Sequence, residues 1–150
     1  LEGGENMTLK DIMSTEVMTV GENKSCSDAA QLMRDKHVGC LPVMDSDRLI
    51  GIITDRDIVT RVIANNLDPN EQRVSDFMSK TLVTANPNMS AEEASRLMAD
   101  KAIRRLPILE NERLAGIVSL GDLARAEEKT LAGETLSKIS RPTVEERMVA

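Results

Sequence analysis

Two hydroxyl residues each stand three positions ahead of an aspartate in this chain: Thr54 before Asp57, and Ser119 before Asp122. Each hydroxyl closes a short run of glycine and two β-branched residues, Gly51-Ile52-Ile53-Thr54 and Gly116-Ile117-Val118-Ser119. Apolar-periodic segments follow: Ile58, Val59, Val62 and Ile63 after the first, Leu123 and Ala124 after the second. A buried strand that stops at the hydroxyl and turns into a helix fits this order. Two kinds of chemistry are open to such residues. As caps, the hydroxyl and the aspartate satisfy the free N–H groups of the helix start, each cap contributing about 1 kcal/mol. As ligand groups, the helix start receives a phosphate, and the carboxylate accepts hydrogen bonds from the vicinal hydroxyls of a ribose. A nucleoside phosphate would satisfy both groups at once. Spacing alone favours the cap, because short motifs are weak signals.

Other chemistries find little support. His37 is the only histidine and has no metal-ligating companion, so a partner for a helix C-terminus is the simpler reading. No Ser/His/Asp or Cys/His set exists for nucleophilic catalysis. Cys26 and Cys40 are too few for a disulfide framework and form no zinc motif. As free thiols they fit a reducing cytoplasm. The expectation is a protein that is not an enzyme and holds no metal.

Composition narrows the partners. The net charge is −6, whereas a nucleic-acid binder usually shows a basic face. Phe77 is the only aromatic residue, so stacking platforms for single strands are missing. With 41% apolar residues the core must be aliphatic and rich in methionine, with Met18, Met33, Met44 and Met98 as filler. No apolar run approaches the about 18 residues of a membrane span, and no stretch reads as a signal peptide. Neither nucleic acid nor membrane is expected as a partner.

The elements that would position the two caps come in two copies. At an offset of 65 residues, Asp11 matches Asp76, Ser14 matches Ser79, Leu32-Met33 match Leu97-Met98, and Leu41-Pro42 match Leu106-Pro107. No gap is needed. Each copy reads as β-α-β-β-α. Val17–Val20 and Leu82–Ala85 are short first strands. Ser25 with Asp28 and Ser90 with Glu93 are capping boxes opening helices with a buried stripe. Cys40–Met44 and Arg105–Leu109 are strands whose Pro42 and Pro107 belong at a sheet edge or irregularity. Leu49–Ile53 and Leu114–Val118 complete hairpins. Residues 1–6 read as an expression leftover, 7–64 and 74–126 as the two units, 65–73 as a linker and 127–150 as a helical tail. Gly133 interrupts that tail, Arg141-Pro142 marks a further break, and Val144 and Met148 have amphipathic spacing.

The duplicated unit, its Leu-Pro-Val/Ile strand and its Gly-x-x-Thr/Ser-x-x-Asp ends resemble a tandem pair of CBS (cystathionine β-synthase) domains, a Bateman module of the stand-alone bacterial type. The resemblance covers about Leu9 to Arg125. It implies an α+β fold of two packed CBS units, no catalysis, and an adenine nucleotide (AMP, ADP or ATP) or S-adenosylmethionine as regulatory ligand in clefts between the repeats. It also implies a homodimer, the CBS disc, that relays energy or metabolite state to a regulated partner protein. Apolar Ile58, Val62 and Leu123, beyond what one small sheet covers, would give the dimer its reason. A ligand-free dimeric interaction scaffold is the alternative.

By the same resemblance, the first cleft takes Ile52, Thr54 and Asp57 with Thr81, Val83, Ile103 and Arg104. The second takes Ile117, Ser119 and Asp122 with Met18, Val38 and Gly39. The aspartate would hold the ribose, the hydroxyl a phosphate or ribose, and aliphatic side chains the adenine. Arg104 and Arg105 replace Gly39 and Cys40 of the first repeat, and Arg56 stands where the second repeat has Gly121. The first cleft therefore has cations for a phosphate and the second has few. The family's proline before the first strand is Val17 or Leu82 here.

Overall fold

The computed structural model describes residues 7–137. The order of elements is α1 (Leu9–Ile12), β1 (Val20–Gly21), α2 (Cys26–Lys36), β2 (Cys40–Asp45), β3 (Arg48–Thr54) and α3 (Asp55–Asp57), which runs into a π-helical stretch, Ile58–Ile63. Then come α4 (Val74–Phe77), α5 (Ala91–Lys101), β4 (Arg105–Glu110), β5 (Arg113–Ser119) and α6 (Leu120–Ser137). The mixed α+β order repeats as the sequence implies. Residues 1–6, Arg141-Pro142, Val144 and Met148, for which the sequence gives expectations, lie outside the described residues.

Local chemistry fixes the helix starts. The Asp28 N–H donates to Ser25 Oγ at 2.9 Å, and the Glu93 N–H to Ser90 Oγ at 3.0 Å. Both helices end on a residue in the left-handed region, His37 (φ 57°) and Ala102 (φ 54°). Ala102 holds there, without glycine's freedom, a conformation that crowds its Cβ. Two-residue turns close both hairpins, with Asn111 and Glu112 both at positive φ as a hairpin turn requires.

The chain divides into two compact units that do not follow the repeats. One holds Glu16–Thr84 and Leu109–Ala115. Its sheet has the order β1-β2-β3, parallel then antiparallel. Pro42 lies in the middle strand, one residue before a register shift between Val43 and Met44, so the irregularity rather than an edge accommodates it. Val20, Cys26, Ala29, Met33, Leu41, Val43, Ile53, Ile58, Val62, Val74 and Met78 form the core, with Met18 packed against it. Ser79 pairs antiparallel with Ile52, the two residues exchanging N–H···O bonds of 2.7 and 3.0 Å.

The other unit holds the chain up to Thr15, Ala85–Ile108 and the chain from Gly116. Leu9, Ala94, Met98, Leu106, Ile108 and Val118 are fully or almost fully buried there. Ser14 pairs with Ile117 as Ser79 does with Ile52, through bonds of 2.9 and 3.0 Å. Each hairpin is thus covered by the opening segment of the other repeat: α4 and Ser79 lie on β3, α1 and Ser14 on β5.

Four expectations are corrected. The first strands are shorter than Val17–Val20 and Leu82–Ala85: only Val20–Gly21 pairs as a strand, and Ala85 makes a single parallel bridge to Ile108. A strand needs a neighbour's N–H and C=O groups along its length, which sequence alternation does not guarantee. Gly133 does not interrupt α6, which continues to Ser137; a helical glycine costs only about 1 kcal/mol relative to alanine. Ile58, Val62 and Leu123 are core residues, at 5%, 0% and 4% exposure. Among the described residues, the large apolar side chains left most exposed are Val59, Ile63 and Leu120, at 57%, 50% and 49%. Lastly, the segment after Asp57 is π-helical, its Ala64 N–H reaching the Val59 carbonyl.

Candidate functional site

The two hydroxyl–aspartate pairs form where strand becomes helix. The Asp57 N–H donates to Thr54 Oγ1 at 3.1 Å, and the Thr54 N–H donates to Asp57 Oδ2 at 2.9 Å. The Asp122 N–H donates to Ser119 Oγ at 3.0 Å, and the Ser119 N–H donates to Asp122 Oδ2 at 2.9 Å. All four side chains are half-buried. A reciprocal cap of this kind satisfies two N–H groups that the helix cannot. It uses one oxygen of each carboxylate and leaves Oδ1 for something else.

The two Oδ1 atoms have different surroundings. That of Asp57 has no hydrogen-bond or ion-pair partner among the described residues. That of Asp122 is 2.5 Å from Nη2 of Arg125, one turn further along α6. Arg125 escaped the sequence reading, although the i,i+3 spacing on a helix that pairs it with Asp122 was visible. Arg125 thus adds one cation to the second site, and its charge is paired with Asp122.

Each unit gathers its own part of the expected constellation. In the unit of Glu16–Thr84, β2 and β3 bring Cys40 opposite Thr54, and the Asp55 N–H donates to the Gly39 carbonyl at 2.9 Å. Val38 and Gly39 are thereby placed beside Thr54. A Cβ on Gly39 would lie 2.9 Å from Asp55 Oδ2, so only glycine fits without displacing that carboxylate. Arg56 is exposed on the first turn of α3. Ile52 leads, through its pairing with Ser79, to Thr81 and Val83, which are irregular rather than strand. Met18 is half-buried ahead of β1.

In the other unit, the Leu120 N–H donates to the Arg104 carbonyl at 2.9 Å, which places Arg104 and Arg105 beside Ser119 as Gly39 and Cys40 lie beside Thr54. Ile103 ends the turn after α5, and Ile117 is half-buried in β5. Arg56, Arg104 and Arg105 form no ion pair among the described residues.

Other features carry less. A surface cavity of about 440 Å³ is lined by Gly21, Glu22, Asn23, Lys24, Met44, Asp45 and Ser46. It lies at the far end of β2 from Gly39 and contains none of the expected site residues. Among the described residues, no group of three or more His, Cys, Asp or Glu is arranged to hold a metal, and no helix is long and apolar enough to cross a membrane.

Known proteins resemble the chain along most of its length. CBS domain-containing protein YhcV of Bacillus subtilis is 46% identical over 138 residues, covering 91% of this chain and 98% of that protein. The CBS domain pair of protein MJ0100, solved in complex with 5′-methylthioadenosine and S-adenosyl-L-methionine, superposes with a TM-score of 0.75 at 26% identity, covering 83% of this chain and 98% of that one. A hexameric CBS-CP12 protein from bloom-forming cyanobacteria gives a TM-score of 0.71 at 31% identity, covering 94% and 80%. The model of the CBS domain family matches residues 9–64 and again 74–129. With two matches that take up most of its length and repeat the caps described above, the chain belongs to the CBS domain family as a tandem pair, a regulatory module.

Proposed function

We propose that this chain is a non-catalytic regulatory module that binds an adenine nucleotide (AMP, ADP or ATP) or S-adenosylmethionine and relays its occupancy to a partner protein. The observation that carries this is the half-used carboxylate. Asp57 gives one oxygen to its cap and keeps Oδ1 without a protein partner among the described residues. A ribose diol supplies the donors that this atom lacks. Thr54 offers the start of a helix to a phosphate, and Arg56, on the first turn after it, forms no ion pair among the described residues. Ile52 and Val83 are half-buried aliphatic side chains of the kind that must hold an adenine in a chain without Trp or Tyr. The adenosine-type ligands of the MJ0100 pair fit the same chemistry.

The test is a thermal shift against AMP, ADP, ATP and S-adenosylmethionine, with an absorbance spectrum of the purified protein. A ligand at about 100 times its Kd adds about 2.7 kcal/mol. At about 2–4 °C per kcal/mol, the melting point rises by about 5–10 °C. Because the protein absorbs almost nothing at longer ultraviolet wavelengths, a retained adenine would dominate its spectrum. No shift with any of the four, and no adenine absorbance, would sink this reading.

A second reading has an observation of its own. Val59 and Ile63, four residues apart on the π-helical stretch, are half-exposed or more. That apolar face suits a homodimer, either as the frame of the nucleotide module or as a scaffold that binds no ligand. Light scattering that shows a monomer at tens of micromolar would remove the dimer from both readings.

A further inference from the structure

The two repeats place their arginines differently around the same cap. In the first, Arg56 stands between Thr54 and Asp57, and Thr60 stands three residues after Asp57. In the second, those places are taken by Gly121 and Arg125. Thr60 turns away, its hydroxyl donating to the Arg56 carbonyl at 2.7 Å. Arg125 folds back over its own helix start. Its Nη2 is 2.5 Å from Asp122 Oδ1, and a Cβ on Gly121 would lie 3.5 Å from its Nη1 and 3.6 Å from Ser119 Oγ. The guanidinium therefore sits on Asp122 and within ordinary contact distance of a side chain at position 121, where the second repeat has none.

We propose that Arg125 is a specificity-determining latch, which makes the second site select phosphorylated nucleosides over uncharged ones; this rests on the nucleotide reading above. The latch covers the carboxylate oxygen that a ribose hydroxyl needs. A ligand without a phosphate must displace the guanidinium and gives it nothing in return. A ligand with a phosphate offers a second anion within reach of the same side chain, and a guanidinium fork suits phosphate oxygens as well as carboxylate ones. The Arg125 side chain is 71% exposed and that of Asp122 20%, so one partner moves easily while the other is held by its cap. The first site has no such latch and takes both kinds of ligand.

The test compares adenosine and AMP by calorimetric titration of the Asp57→Asn protein, in which the first site is weakened, with and without Arg125→Thr, the residue of the first repeat. An exposed ion pair contributes about 0.2–1 kcal/mol, so removing it raises adenosine affinity by up to about fivefold. Loss of the charged contact lowers AMP affinity by about tenfold or more. The preference for AMP thus collapses in Arg125→Thr, and Arg125→Lys restores part of it. If both ligands bind and their ratio is the same in all three proteins, the latch is wrong and the nucleotide reading stands. If neither ligand binds the Asp57→Asn protein or the wild type, the nucleotide reading fails and takes the latch with it.

Discussion

Gly51 lies against Met78 so closely that a Cβ on it would be 2.5 Å from the methionine sulfur and 2.9 Å from the Ser79 carbonyl oxygen. Gly116 repeats the relation, with 2.7 Å to both the Met13 sulfur and the Ser14 carbonyl oxygen. A methionine side chain can shift, but a backbone oxygen held in a two-way bridge cannot do so without breaking it. Gly51→Ala and Gly116→Ala are therefore each expected to cost about 1–3 kcal/mol, as overpacking does. Melting curves check this, and a loss below half a degree in both would mean the segments yield more freely than their bridges imply.

The end of α5 invites the opposite change. Ala102 is exposed at φ 54°, where glycine carries no Cβ penalty. Ala102→Gly is expected to raise stability by about 0.5–1 kcal/mol, the relief being partly offset by the freer unfolded chain. Denaturant midpoints measure it. His37→Gly should act in the same direction at the end of α2, and a loss of stability in both variants would contradict the strain argument.

Cys26 opens α2 with no exposed surface. Burial pushes its thiol above the ordinary value, and the negative charge of Asp76 pushes it further in the same direction. The folded state thus holds the proton more tightly than the unfolded one. Stability from this group is complete below the unfolded thiol value, about 8.5, and falls as pH rises above it, because the unfolded chain then releases a proton that the native state keeps. Wild type is expected to lose melting temperature above that pH more steeply than Cys26→Ala. Parallel slopes for the two proteins would show that the thiol is not the cause.

Capping and ligand binding separate at the two aspartates. Asp57→Asn should cost well under 1 kcal/mol in stability, given an exposed dipole contribution of about 0.3–1 kcal/mol. Nucleotide affinity should fall about tenfold or more, because hydrogen bonds to charged groups contribute about 1.5–3 kcal/mol each. Asp122→Asn should matter less, since Arg125 already occupies the free oxygen. Titration of both variants with the best ligand decides. Lower stability with unchanged affinity in Asp57→Asn would leave that carboxylate a cap alone.

What could be read from sequence was what acts over short distances. The capping boxes at Ser25, Thr54, Ser90 and Ser119 join residues three apart, so their hydrogen bonds follow from spacing. The hairpins follow from alternation and polar turns, and the repeat needed no structure at all. The misses were of longer range. Val17–Val20 alternates like a strand, yet only Val20 and Gly21 find a neighbour. Over six residues a π-helical stretch and an α-helix place apolar side chains too similarly to be told apart, so Ile58 and Val62 looked surplus. Nothing in the order of residues says that Ser14 will pair with Ile117, a partner in the other repeat. Arg125 is legible from its i,i+3 spacing to Asp122, one helical turn beyond the motif.

The crossed placement of α1 and α4 bears on where this chain can be cut. A fragment that ends after the π-helical stretch keeps β3 but loses Ser79, so Ile52 is left with an N–H and a C=O unpaired. The same fragment still carries α1 and Ser14, whose own acceptor strand is gone. Met13-Ser14 and Met78-Ser79 are identical in sequence, so one fragment offers what another lacks. Such half-chains are expected to rescue each other by domain swapping.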